Sequence, residues 1–355
     1  MHTKLPPCII YRYRLYFCRM KHFFILAFSF VCFSAIGQTQ DVEQLLETAR
    51  GFERQGDLDN AILVLVKAQQ QNPNNFDLTK ELAFTYYLQH DNDKSLTEIK
   101  KILDNVDADE QTFQIASLIY GAKLDYKEMD KVYKKGLAKF PKSGLLYNGY
   151  GEMLYNKDAS SKECIKAWEK GIEVDPNFSG NYYNAARFYG TISNNLWCLL
   201  YGETFINLES YSTRTVEVKN ILLDVYKRWF GGDNHIGNTA FEQQVAATLN
   251  KQSTQASMGI TPDALTAIRA RFILDWFTGE NQSRPSFRLF DYQRQLMQEG
   301  LFDAYNQWIF GSVASMDGYQ NWVSNHTADN NDFSKFQRGR VFKVPAGQYY
   351  NVVGK

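Results

Sequence analysis

From residue 42 onward the apolar positions recur at helical spacing, in paired segments separated by short polar turns, and the pairs repeat about every 34 residues. The first unit runs from Val42 to Asn75, with Phe52 on its first helix (helix A), Gly56 in the turn, Ala61 and Ala68 on its second (helix B), and Pro73 closing. Phe76 to Asp109 repeats this with Leu82, Ala83 and Tyr86, then Ile99 and Ile102, but has Asp107 in place of the closing proline. Glu110 to Ser143 supplies Ala116, Tyr120, Tyr133 and Gly136. Gly144 to Phe178 supplies Tyr147, Tyr150, Gly151 and Leu154, then Cys164, Trp168 and Gly171, with one extra residue in the turn from Lys157 to Ser161. These two units end alike, in Gly136-Leu-Ala-Lys-Phe-Pro141 and Gly171-Ile-Glu-Val-Asp-Pro176.

Small residues at Ala68, Ala83, Gly151 and Gly171 let paired helices approach, and aromatic residues one turn away fill the space between units. Through these positions residues 42 to 212 resemble the tetratricopeptide family. The resemblance implies an all-α, right-handed helical solenoid of four good repeats and a degenerate fifth, and a role in holding another polypeptide. The fifth, from Ser179, keeps Tyr182, Ala185, Ala186 and Tyr189 on helix A. Trp197-Cys-Leu-Leu-Tyr-Gly202 then replaces the small-residue helix B, so a different packing partner is expected there.

From Thr213 to residue 355 the 34-residue period is read as lost, and a C-terminal helical domain is expected. Val218, Ile221, Leu222, Val225 and Trp229 share one helix face, stopped at Gly231-Gly232. Thr239-Ala-Phe-Glu242 has capping-box spacing, and Gln252 to Gly259 is polar enough for a flexible connection. Thr261-Pro262-Asp263 places a cap, a first-turn proline and an acid ahead of Leu265, Ile268, Phe272, Ile273 and Trp276. Further helices are expected over 286–299, 301–310 and 316–325. The tail from Val341 to Tyr350 is expected to be extended and packed on the body. Leu200-Tyr-Gly-Glu-Thr-Phe-Ile-Asn-Leu-Glu209, Tyr305-Asn-Gln-Trp308 and Gly347-Gln-Tyr-Tyr350 resemble segments of secreted tetratricopeptide proteins of Bacteroidetes-type bacteria. That resemblance implies a compartment and no activity.

Residues 1 to 37 hold five basic residues and no acid, and Met20-Lys-His22 precedes an apolar run from Phe23 to Ala35. This is the pattern of a secretory signal starting at Met20 and cut between Gly37 and Gln38, so a secreted or periplasmic protein of a Gram-negative bacterium is expected. The run is too short for the ~20 residues of a membrane span, and no stable span is expected after cleavage. The chain beyond the cut carries net charge −5, with no basic stripe for nucleic acid. Its two cysteines, Cys164 and Cys198, stand one repeat apart, farther than a disulfide reaches, and are expected as buried thiols.

His90, His235 and His326 are scattered, so no metal site or cofactor is expected. His90 with Asp93, and His326 with Asp329 and Asp332, read as polar turns or loops. The groove-facing positions of the A helices are Arg50, Lys80, Phe84, Tyr87, Asn148, Glu152, Tyr155, Tyr183 and Arg187, a mixture suited to an extended peptide. The family's Lys and Asn clamp for a C-terminal carboxylate is missing, since Phe84 follows Lys80 and Glu152 follows Asn148 at four residues. The expectation is therefore a non-catalytic scaffold for a protein or peptide partner. Two alternatives are kept: sugar binding, through Trp197, Trp229, Trp276, Trp308 and Trp322, and an enzyme with a site where the halves meet, lined by His235, Glu203 or His326.

Overall fold

The computed structural model describes residues 42–233, 237, 239–257, 259–278 and 287–349. The expected signal segment, the signal cleavage point and His235 lie outside the described residues. Described residues form helices joined by short turns and fall into two compact units, one through Leu124 and one from Asp125.

In the first unit, α1 (42–54), α2 (Leu58–Gln71), α3 (Phe76–Leu88), α4 (Asn92–Ile102) and α5 (Glu110–Ala122) begin where the repeat register places them. Leu46, Ala49, Leu65, Ala68, Leu78 and Leu82 form its core. Ser95 is fully buried and donates to the Ala83 carbonyl at 2.6 Å, an approach that the small residue at 83 permits.

The turn between paired helices has a fixed construction. Gly56, His90, Leu124 and Ser193 all adopt positive φ, at 76°, 64°, 56° and 57°, at the same place in their repeats. The next residue, Asp57, Asp91, Asp125 or Asn194, caps the following helix with its side chain. His90 is thus a turn residue, as its polar surroundings suggested.

The second unit contains α6 (Tyr126–Lys139), α7 (Gly144–Lys157), α8 (Glu163–Val174), α9 (Ser179–Thr191), α10 (Asn195–Leu208) and α11 (Thr213–Phe230). A Cβ on Gly151 would lie 2.3 Å from the Trp168 indole nitrogen, so the close approach of α7 and α8 requires glycine there. Helix α10 is buried from Asn195 through Asn207, which fits the change of packing partner read from its sequence. One correction concerns the period. Helix α11 starts 34 residues after α9, packs on both α9 and α10, and occupies the next A position, so the register outlasts Thr213 by one helix.

Beyond it lie α12 (Ala240–Asn250), the single turn α13 (Ser253–Ala256), α14 (Pro262–Trp276), α15 (Arg288–Gln298) and α16 (Phe302–Asn306). After α16 come a π-helical turn (Gln307–Gly311), α17 (Ser312–Ala314), α18 (Met316–Asn325) and α19 (Thr327–Gly339). The capping box at Thr239 and Glu242 is formed, and Thr261 caps α14. The flexible connection expected over Gln252 to Gly259 instead includes α13, and Gln252 is buried with its amide donating to Asp275 at 3.1 Å. Asp329 and Asp332, expected with His326 in a polar loop, lie on helix α19, which Phe333 anchors against Tyr305 and Trp308. The tail is extended: Val344 exchanges main-chain hydrogen bonds with the Asn177 side chain at 2.9 and 3.3 Å, and Phe342, Val344 and Tyr349 are buried.

The fold is all-α, a tetratricopeptide-type helical array followed by further helices. Among the described residues no helix is long and apolar enough to cross a membrane. Cys164 and Cys198 are buried free thiols, and burial pushes the Cys198 thiol up to about 12.

Candidate functional site

Helices α7, α9 and α11 lie side by side, and helical spacing aligns Asn148, Glu152 and Tyr155 on α7 with Tyr183 and Arg187 on α9 and Glu217, Ile221, Asp224 and Arg228 on α11. The Asn184 amide donates to Asn148 Oδ1 at 2.9 Å and to Glu152 Oε1 at 2.8 Å. Tyr183 donates to Glu217 at 2.6 Å, Arg187 pairs with the same carboxylate at 2.9 Å, and the Arg187 and Arg214 guanidinium groups lie over the Tyr183 ring at 5.2 and 4.9 Å. Burial, then the Glu217 acceptor, hold the Tyr183 phenol above its usual range. Tyr155 packs against Trp168 and Phe188.

These side chains surround two hollows. One, of about 350 Å³, lies among Glu152, Tyr155, Tyr183, Asn184 and Arg187; the other, of about 560 Å³, is lined by Ile221, Asp224 and Arg228. Both include Arg187 and Thr191 in their walls, so they adjoin. Five of the nine groove positions read from the sequence thus meet in one place. The sequence reading missed Asn184 and Glu217; Glu217 stands one period after Tyr183, which is the signal that would have found it.

The other four positions belong to the first unit. Arg50 donates twice to Glu81, at 3.0 and 2.7 Å, and the Glu81 side chain is only 11% exposed. Lys80 pairs with Asp109 at 2.7 Å and stands over the Phe76 ring, while Phe84 stacks with Tyr87 at 6.3 Å. Both cations thus already tie neighbouring helices together.

Of the residues named for a catalytic junction, the two that are described, Glu203 and His326, are not brought together. Glu203 is a core residue whose Oε1 accepts from Gln293 at 2.5 Å, from the Tyr305 hydroxyl at 2.9 Å, and from Arg269, which also donates to Asn306. Glu203 and Arg269 are 5% and 2% exposed, and the space beside them is only about 30 Å³, on the scale of a single water. Burial disfavours the Arg269 charge, but the Glu203 carboxylate outweighs it and raises the guanidinium pKa. His326 is exposed and lines a different hollow. The physical reason is α10: a helix buried all round carries Glu203 inward, away from any open cleft.

Trp197, Trp229 and Trp276 are buried, as core packing requires; Trp308, half-buried, is packed against Tyr305 and Phe333, and Trp322, also half-buried, lines a hollow. Among the described residues no group of three or more His, Cys, Asp or Glu side chains is placed to hold a metal ion. Lys219, which the sequence reading did not single out, is 7% exposed; its amine donates to the Trp308 carbonyl at 2.6 Å and lies 3.7 Å from the centre of that indole.

No protein-family model matches the chain, and no curated protein matches it in sequence. Similar solved structures include MamA, at 18% identity over 46% of this chain and 94% of that one, with a TM-score of 0.38. A tetratricopeptide repeat protein from Parabacteroides merdae is 15% identical over 73% of this chain and 99% of its own, with a TM-score of 0.41. The thermophilic protein TTC0263 of Thermus thermophilus is 14% identical over 67% and 100%, with a TM-score of 0.29. Helix lengths, the 34-residue register and the shared turn give this chain a fold of the tetratricopeptide type.

Proposed function

We propose that the protein is a non-catalytic scaffold, exported to the periplasm or beyond, that holds an extended segment of another polypeptide on the A-helix face of α7, α9 and α11. The observation that carries this reading is the pair of adjoining hollows meeting at Arg187 and Thr191, which together offer aromatic faces, amides and charges of both signs. Glu152, Glu217 and Asp224 stand among the cations of this face, so a terminal carboxylate would meet like charge. An internal peptide segment suits it better. The signal-like segment at residues 20–37 supports export.

The test is affinity capture from the native secreted fraction with the wild-type chain, Tyr183→Ala and Arg187→Ala. The expected result is a partner retained by the wild type and lost by both variants. Equal capture by all three chains would move the site elsewhere, and substrate turnover without any partner would overturn the scaffold reading.

A further inference from the structure

A further hollow, of about 270 Å³, lies in the second unit, between the start of α14, the π-helical turn and α18. It is just smaller than the ~300 Å³ at which small-molecule clefts begin, room for one ring and its substituents. A π-turn is an uncommon element that recurs at functional sites, and here it shapes the floor. Gln307, in that turn, is 4% exposed and donates its amide to Asp263 Oδ1 at 2.9 Å, fixing the carboxylate at the rim. A Cβ on Gly311 would lie 2.5 Å from the Tyr319 ring, so glycine lets that ring lie directly on the turn.

The opposite wall is aromatic. The rings of Trp322 and His326 stack at 4.9 Å and 8°, and His326 Nδ1 meets the Trp322 carbonyl at 3.0 Å, which leaves Nε2 available. Asn321 and Asn325 stand beside them, hydrogen-bonded to each other at 3.3 Å. The lining holds one carboxylate, one imidazole, amides and aromatic rings, and neither lysine nor arginine. Such a lining repels anions and offers no platform for a long apolar ligand. It matches a ligand with an apolar C–H face for the rings and hydroxyls for the carboxylate and amides.

We propose that this hollow binds a single neutral hexose residue, stacked on the Trp322–His326 pair with its hydroxyls toward Asp263 and Asn321. The site is independent of the peptide-holding face, and a chain could have either without the other. Saturation-transfer NMR tests it, with glucose, galactose, N-acetylglucosamine and glucuronate each at millimolar concentration, on the full chain and on Trp322→Ala, His326→Ala and Asp263→Asn. His326→Ala, at an exposed position, keeps the test valid should Trp322→Ala unfold.

At least one neutral sugar is expected to bind the wild type and Tyr183→Ala alike. Binding is expected to weaken about tenfold or more in the hollow variants, the loss of one stacking or hydrogen-bonding group. Three results overturn the proposal: no neutral sugar binding the wild type, undiminished binding by the folded hollow variants, or glucuronate binding as tightly as the neutral sugars.

Discussion

Lys219 is a buried amine whose titration falls within a pH range that stability measurements reach. Its amine has one acceptor, the Trp308 carbonyl, and an indole face, and no carboxylate among the described residues pairs with it. Burial alone lowers its pKa from 10.5 to about 7. The unfolded chain therefore holds a proton that the folded chain releases between these two values, and unfolding in that window takes up a proton. Stability rises with pH from about 7 to about 10.5 and is flat in this term on either side. Each pH unit inside the window is worth about 1.4 kcal/mol, so between pH 7 and pH 9 the group contributes about 2 kcal/mol of added stability.

Lys219→Met removes the titration and keeps the apolar stem. All six tryptophans lie in the second unit, so urea unfolding followed by tryptophan fluorescence reports on the unit that contains Lys219. The variant is expected to be more stable than the wild type at pH 7, and its advantage to shrink by about 2 kcal/mol at pH 9. The difference between the two proteins cancels every other titrating group. Parallel stability curves for the two chains over this range would refute the reasoning, because they would mean that the amine is hydrated or paired.

Two further outcomes test the fold. Leu124 has φ 56° and is 73% exposed, so Leu124→Gly relieves a left-handed conformation without uncovering core; a gain of about 0.5–1 kcal/mol is expected in thermal unfolding followed by circular dichroism. Glu203→Gln keeps the shape of the buried network but strands the Arg269 charge, so a loss of about 3–5 kcal/mol is expected in urea unfolding, where wild-type stability would contradict the buried ion pair.

The repeat array was legible because small residues recur at the points where helices touch. Ala83 and Gly151 are where the sequence pattern put them, and their neighbours are close enough that a larger side chain would collide or displace a hydrogen bond. The turns were less so. Only Gly56 announces a left-handed residue; His90, Leu124 and Ser193 adopt the same conformation without glycine, and the cue that unites them is the capping Asp or Asn at the next position. Helix α19 escaped notice because its apolar content is nearly confined to Phe333 and Phe336, too little for a helical period to show. At the groove, spacing alone placed Asn148, Glu152 and Tyr155 on one face. The partners that orient Tyr183 and Arg187 come from α11, a helix assigned on sequence to a different domain.

Helix α10 explains why Glu203, a candidate catalytic residue in the sequence, lines no open site. In a repeat stack a B helix has one face toward its own A helix and another toward the next unit, and the last B helix must be covered by something else. Here α10 has A helices α9 and α11 against it, and its Glu203 and Asn207 reach Arg269 on α14, Gln293 on α15 and Tyr305 on α16. A carboxylate there is conspicuous in the sequence, since it interrupts an apolar run, and it invites a catalytic reading. Its hydrogen bonds go to side chains that have no other access to solvent, so the network joins the accessory helices to the end of the array and leaves no room for a substrate. The open, chemically mixed surfaces lie elsewhere: on the A-helix face, where one period separates Tyr183 from its partner Glu217, and at the π-turn hollow, where α14 brings Pro262 and Asp263 against the continuous stretch 307–326.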